Sequence, residues 1–134
     1  MAVGSPLALG ALVQVAQRAP DLDAAVSFYR DVLGGQFLGK FDPPGLALVS
    51  LGGIRLLFER DAQPAMLYFK VADLDAAYET LSQRGVPFEG KPSLIHRDDA
   101  GTFGAPGEEE WMAFLRDPGG NLVGLVQRKA ATPR

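Results

Sequence analysis

The sequence predicts an α+β fold of two β-α-β-β-β modules, and three observations carry that prediction. The pentapeptide Asp21-Leu-Asp-Ala-Ala25 recurs letter for letter as Asp73-Leu-Asp-Ala-Ala77, each copy just past a predicted strand and opening a predicted helix. The closing strands of the two halves share a pattern, Gly53-Ile-Arg-Leu-Leu-Phe-Glu59 against Asn121-Leu-Val-Gly-Leu-Val-Gln127. The 16 Gly and 10 Pro fall between apolar segments and act as punctuation. A five-residue identity at the same place in two such units reads as a duplication rather than a helix start arising twice by chance.

Leu12–Arg18 alternates as a strand. Asp21 is placed as an N-cap, and Leu22, Ala25, Tyr29, Val32 and Leu33 keep helical spacing until Gly34-Gly35 stops the helix. Three strands follow, at Gln36–Phe41, Leu46–Leu51 and Ile54–Glu59. Asp42-Pro-Pro-Gly45 separates the first pair and Gly52-Gly53, a two-residue hairpin signal, the second. In the second half Ala65–Val71 is a strand, and Asp73 caps a helix with Leu74, Ala77, Tyr78 and Leu81 on one face until Gly85. Val86–Gly90 is expected as a short strand and Lys91–Glu110 as a long irregular stretch with a strand near Leu94–Arg97. Trp111–Arg116 and Leu122–Lys129 close the chain as a hairpin across Asp117-Pro-Gly-Gly-Asn121. The organisation is therefore an N-terminal extension over 1–11, a first module over 12–60, and a second over 61–130 carrying the 91–110 loop, together one domain.

Composition narrows the chemistry. The 134 residues are 47% apolar, enough for one compact domain. With no Cys there is no disulfide framework, thiolate nucleophile or cysteine-type zinc site. With one His, His96, no site needing two histidines can form within a single chain. A net charge of −3 without a basic run argues against nucleic acid and would suit a cationic ligand, though as a weak field. The opening residues lack a positive n-region, and their apolar run is broken by Pro6 and Gly10, so neither a signal peptide nor a membrane span is expected. The expected location is the cytoplasm. Gly101-Thr-Phe-Gly-Ala-Pro-Gly107 lacks the Gly-Lys-Ser/Thr ending of a phosphate loop.

Three segments resemble the vicinal-oxygen-chelate superfamily of glyoxalase I, bleomycin-resistance proteins and extradiol dioxygenases. They are Asp21-Leu-Asp-Ala-Ala-Val-Ser-Phe-Tyr-Arg-Asp-Val-Leu-Gly34, Val71-Ala-Asp-Leu-Asp-Ala-Ala-Tyr78 and Phe114-Leu-Arg-Asp-Pro-Gly-Gly-Asn-Leu122. With the matching strands the resemblance covers about residues 12 to 129. It implies curved mixed sheets that form a small-molecule cleft, in which the enzymes of the superfamily usually hold a divalent metal. Carried over one by one, the metal positions fall on Gln14, seven residues before Asp21, and on Met66, seven before Asp73. The closing strands add Leu56 and Gly124. Gln, Leu, Met and Gly together offer one oxygen donor, so no metal and no cofactor is expected.

Without a metal, catalysis would need acid/base groups placed by the fold. His96 and Glu59 are the candidates, His96 because its unperturbed pKa lies near neutrality. The polar run His96-Arg-Asp-Asp99 makes a surface loop histidine the preferred reading. Arg55 and Tyr68 are expected at the cleft edge, and Phe103 and Trp111 are expected either over an apolar ligand or in a core or interface. The Glu108-Glu-Glu110 run is read as solvated charge. The expected function is binding of a small, partly apolar molecule in a metal-free cleft. The alternative is a lyase, isomerase or dioxygenase of the glyoxalase type, with an atypical metal site or metal-free acid/base chemistry. The expected partners are that small molecule and a second copy in a homodimer, with no nucleic acid and no membrane.

Overall fold

The structure, a computed structural model, describes residues 6, 8 and 11–131, so most of the expected 1–11 extension lies outside the described residues. The first half runs β1 (Gln14–Arg18), α1 (Leu22–Ser27), β2 (Gln36–Phe41), β3 (Leu46–Leu51) and β4 (Ile54–Glu59). The second runs β5 (Leu67–Lys70), α2 (Leu74–Gln83), β6 (Ser93–Asp98), β7 (Glu108–Arg116) and β8 (Leu122–Lys129). Each half makes its own four-stranded mixed sheet, in the orders β1-β4-β3-β2 and β5-β8-β7-β6. The first strand of each half pairs in parallel with the last, and the other pairs are antiparallel. The repeated pentapeptide does the same job twice: Asp21 accepts a hydrogen bond from Ala24 N and Asp73 from Ala76 N.

Each sheet buries one face under its own helix. In the first, Ala47, Val49, Leu56 and Phe58 pack with Leu22, Ala25, Val26 and Tyr29 of the α1 segment. In the second, Ala113, Leu115, Val123 and Leu125 pack with Leu74 and Leu81 of α2. Phe28 and Phe69 touch both clusters and join the halves into one body. Because strand side chains alternate, the residues between these core positions line the opposite, open face of each sheet. Among the described residues no helix is long and apolar enough to cross a membrane.

Three expectations are revised. The first helix does not continue as α to Leu33: residues Phe28–Val32 form a π turn, with Leu33 N bonded to Phe28 O at 3.2 Å. That wider turn accompanies the placement of Tyr29 inside the first cluster, with its hydroxyl reaching Asp117 in the other half at 2.9 Å. Val86–Gly90 is not a strand. Only Phe88 bridges to Leu115, because Pro87 has no N–H to donate and Gly90 turns away at φ +88°. The 91–110 stretch is less irregular than expected: nearly half of it is strand, since β6 runs Ser93–Asp98 and β7 begins at Glu108, leaving 99–107 as the connection.

Candidate functional site

The ladders decide which face each expected site residue occupies. Val15 pairs with Leu56 and Leu67 with Val123, so Leu56 and Val123 are equivalent positions. Leu56 is 3% exposed beneath α1 and does not face a cleft. The residue equivalent to Gly124 is its neighbour Leu57, half-buried on the open face. The sequence match of the two closing strands was one residue out, and with a period of two a one-residue slip moves a side chain to the other face. Of its two expected places, over a ligand or in a core, Trp111 takes the second. It packs against the second core cluster on the helix side, its indole N–H donates to Glu109, and Lys129 Nζ stands 4.7 Å above its ring.

The remaining positions form two separate groups. On the first sheet Gln14 lies beside Arg55, both exposed on the open face. On the second, Met66, Tyr68 and Gly124 come together: the Tyr68 hydroxyl donates to Met66 Sδ at 3.3 Å, and its ring covers Gly124 and meets Phe114 edge-on. A Cβ on Gly124 would lie 2.6 Å from the Tyr68 ring, so the missing side chain makes room for that ring. The donor set does not fit a hard divalent ion. At the corrected positions Gln14, Leu57, Met66 and Gly124 only one oxygen donor is present, and the thioether already takes the Tyr68 hydroxyl proton. Among the described residues no three His, Cys, Asp or Glu side chains gather at one point.

His96, Phe103 and Glu59 sit away from these groups. His96 faces Glu110 on β7, which faces Arg128 on β8, four residues along from Gly124 or roughly 13 Å of strand. Its Nδ1 is 4.0 Å from Glu110, its ring meets Phe103 edge-on, and its buried Nε2 has no hydrogen-bond partner. Phe103 is 68% exposed in the 99–107 connection. Glu59 lies opposite Arg18, at the far end of β4 from Arg55. Catalysis by His96 or Glu59 on a molecule at Gln14 or Met66 therefore has no geometric support.

The acidic end of the second sheet is a fastening. Arg128 donates to Asp98, Glu108 and Glu110 at 3.0, 3.0 and 2.8 Å, so two carboxylates of the acidic run share one guanidinium with Asp98 instead of standing free in solvent. Asp98 also accepts the backbone N–H groups of Thr102 and Phe103, both at 2.8 Å. The Phe103 N–H, with help from Thr102 and Arg128 and against the cost of burial, holds the Asp98 carboxyl below its ordinary range.

Sequence reasoning missed Gln17, which is fully buried and pins the start of the second half to β1. Its Oε1 accepts from Ala65 N at 2.8 Å and its Nε2 donates to Ala65 O at 2.6 Å. It also missed Ser50, Gln36 and Arg18 on the open face of the first sheet. Counting alternately outward from the core residues Leu56 and Phe58 is the signal that finds them.

A family model described as the Glyoxalase/Bleomycin resistance protein/Dioxygenase superfamily matches residues 11–125. A lactoylglutathione lyase structure from Agrobacterium tumefaciens is 26% identical, with a TM-score of 0.65 over 90% of this chain and 96% of that one. A glyoxalase/bleomycin resistance protein/dioxygenase from Alicyclobacillus acidocaldarius is 25% identical, with a TM-score of 0.64 over 88% and 91% of the two chains. A structure from Nocardioides of the same description, at 18% identity and a TM-score of 0.69 over 96% and 91%, shares the fold. No curated protein matches the chain.

Proposed function

Because the chain belongs to the glyoxalase/bleomycin resistance protein/dioxygenase superfamily, we propose that it binds a small, partly apolar molecule in a cleft that does not rely on a metal. The observation that carries this reading is the chemistry of the four positions Gln14, Leu57, Met66 and Gly124, which supply one amide oxygen, one thioether and two places without a donor. An open β-sheet face with few polar groups among apolar ones is the usual lining of a small-molecule site. Among the described residues these four positions offer a metal-dependent lyase or dioxygenase no donor set to hold its ion.

The cleft in this reading is completed by a second copy of the chain. Met66 and Tyr68 on one open face and Phe41 on the other are 44%, 53% and 51% exposed and supply apolar surface for a second copy to cover. The modules over 12–60 and 61–130 act as one domain, and the protein works in the cytoplasm without nucleic-acid or membrane partners.

Metal analysis of the purified protein tests the reading. Less than a tenth of an equivalent of nickel, zinc, iron or manganese is expected after dialysis. Retention of one equivalent with sub-micromolar affinity would overturn it.

A further inference from the structure

The open face of the first sheet is ordered in rows. Gln14 pairs with Arg55, Arg55 with Ser50, and Ser50 with Gln36, so one row of polar side chains crosses all four strands. Among the described residues none of these four side chains takes part in a hydrogen bond or ion pair. The next row, two residues along each strand, is Ala16, Leu57 and Leu48 and is apolar. Strand geometry puts the two rows about 7 Å apart and neighbouring strands about 4.8 Å apart.

The row is rich in donors and carries a positive charge. A guanidinium presents five N–H donors in a planar fork, and the flanking hydroxyl and two amides can each donate one more. Two strand cations on the helix side are matched, Lys40 with Asp23 and Lys129 with Asp75. Among the described residues, the strand cations without an ion partner are Arg18, Arg55 and Lys70, and all three lie on open faces. Among the described strand residues Glu59, opposite Arg18, is the one carboxylate on the first open face and stands at the end away from Arg55. The overall charge of −3 thus misleads about the site, since the local field at the polar row is positive.

We infer that the molecule bound is a carboxylate with an apolar body, its carboxylate on the Arg55 row with Ser50 and Gln14 beside it, and its body over Ala16, Leu57 and Leu48. This rests on the small-molecule reading above and adds the chemical class of the ligand. A carboxylate accepts the guanidinium fork through two parallel bonds, and an apolar group about 7 Å away reaches the next row.

The test is titration of the full-length protein, followed by NMR, with three matched probes: 3-phenylpropionate, 3-phenylpropionamide and 3-phenylpropylamine. The carboxylate is expected to bind at least tenfold more tightly than the amide and the amine, to shift Arg55, Ser50 and Leu57 resonances, and to weaken with added salt. Arg55→Gln should reduce the tenfold preference to within twofold while leaving the spectrum of the folded protein intact, and Arg55→Lys should recover part of it. Lys91→Gln, outside the row, should leave the preference unchanged. Equal binding of all three probes at these residues would overturn the carboxylate inference and leave the small-molecule reading standing. Absence of any shift there, or an interface with a second copy covering the row, would overturn the inference too, while the metal analysis judges the first reading separately.

Discussion

Gly124 and Leu57 occupy matching places in the two sheets, yet one is empty to admit the Tyr68 ring and the other offers only an alkyl group. Replacing three of the four positions together, as Leu57→Glu, Met66→His and Gly124→Glu, with Tyr68→Ala to clear the ring that a Cβ on Gly124 would meet, is expected to create divalent-metal binding in the dimer, where a second copy brings the two open faces together, detectable by calorimetry. The same variant with Leu56→Glu in place of Leu57→Glu should bury a carboxylate under α1, lose several kcal/mol of stability and bind no metal. Asp98 gives a second prediction at this scale. Its folded carboxyl is held below the ordinary value, so its stabilisation is present above an unfolded carboxyl pKa of about 3.9 and is lost as pH falls through the lower folded value. Urea midpoints measured from pH 7 down to pH 3 should therefore fall less steeply for Asp98→Asn than for the wild type. An unchanged acid limb would show that Asp98 does not hold the 99–107 connection.

Strands and helices are joined by side chains that satisfy backbone groups. Gln17 closes both the N–H and the C=O of Ala65, so Gln17→Leu leaves two polar groups without their partner. A loss of roughly 2–3 kcal/mol in urea denaturation is expected, with the secondary structure retained. The Asp117-Pro-Gly-Gly-Asn121 turn shows why that motif is specific. Asp117 accepts from Gly119 N, Asn121 N and Asn121 Nδ2, Gly120 takes φ +81°, and Asn121 Nδ2 also donates to Arg18 O across the module boundary. The turn is thus a structural joint rather than a site.

At the scale of the whole molecule the Tyr29–Asp117 bond links the first helix to that turn. Burial, then the Asp117 carboxylate, pushes the Tyr29 phenol above its ordinary value and keeps it a neutral donor. Tyr29→Phe is expected to cost roughly 1.5–3 kcal/mol, the range for a hydrogen bond to a charged group, read as a lower urea midpoint with an unchanged slope. The open faces lead to the oligomer prediction. Sedimentation at micromolar concentration should give twice the 14.3 kDa chain mass, and a single 14.3 kDa species would refute the dimeric cleft.

The sequence determined what depends on local order: the caps Asp21 and Asp73, the glycine stops, the hairpin turns, and through them the duplicated α+β architecture. It determined the residue types at the positions where the resemblance places a metal, and in either register those types supply a single oxygen donor. Only the tertiary structure decided which side chains face which way. A strand's hydrophobic pattern in Ile54-Arg-Leu-Leu-Phe58 fits Leu56 or Leu57 inward equally well, and the choice comes from the pairing of β4 with β1 under α1. The polar row of Gln14, Arg55, Ser50 and Gln36 was invisible for the same reason. Its members are up to 41 positions apart in the chain and become neighbours only through the ladders that join four strands.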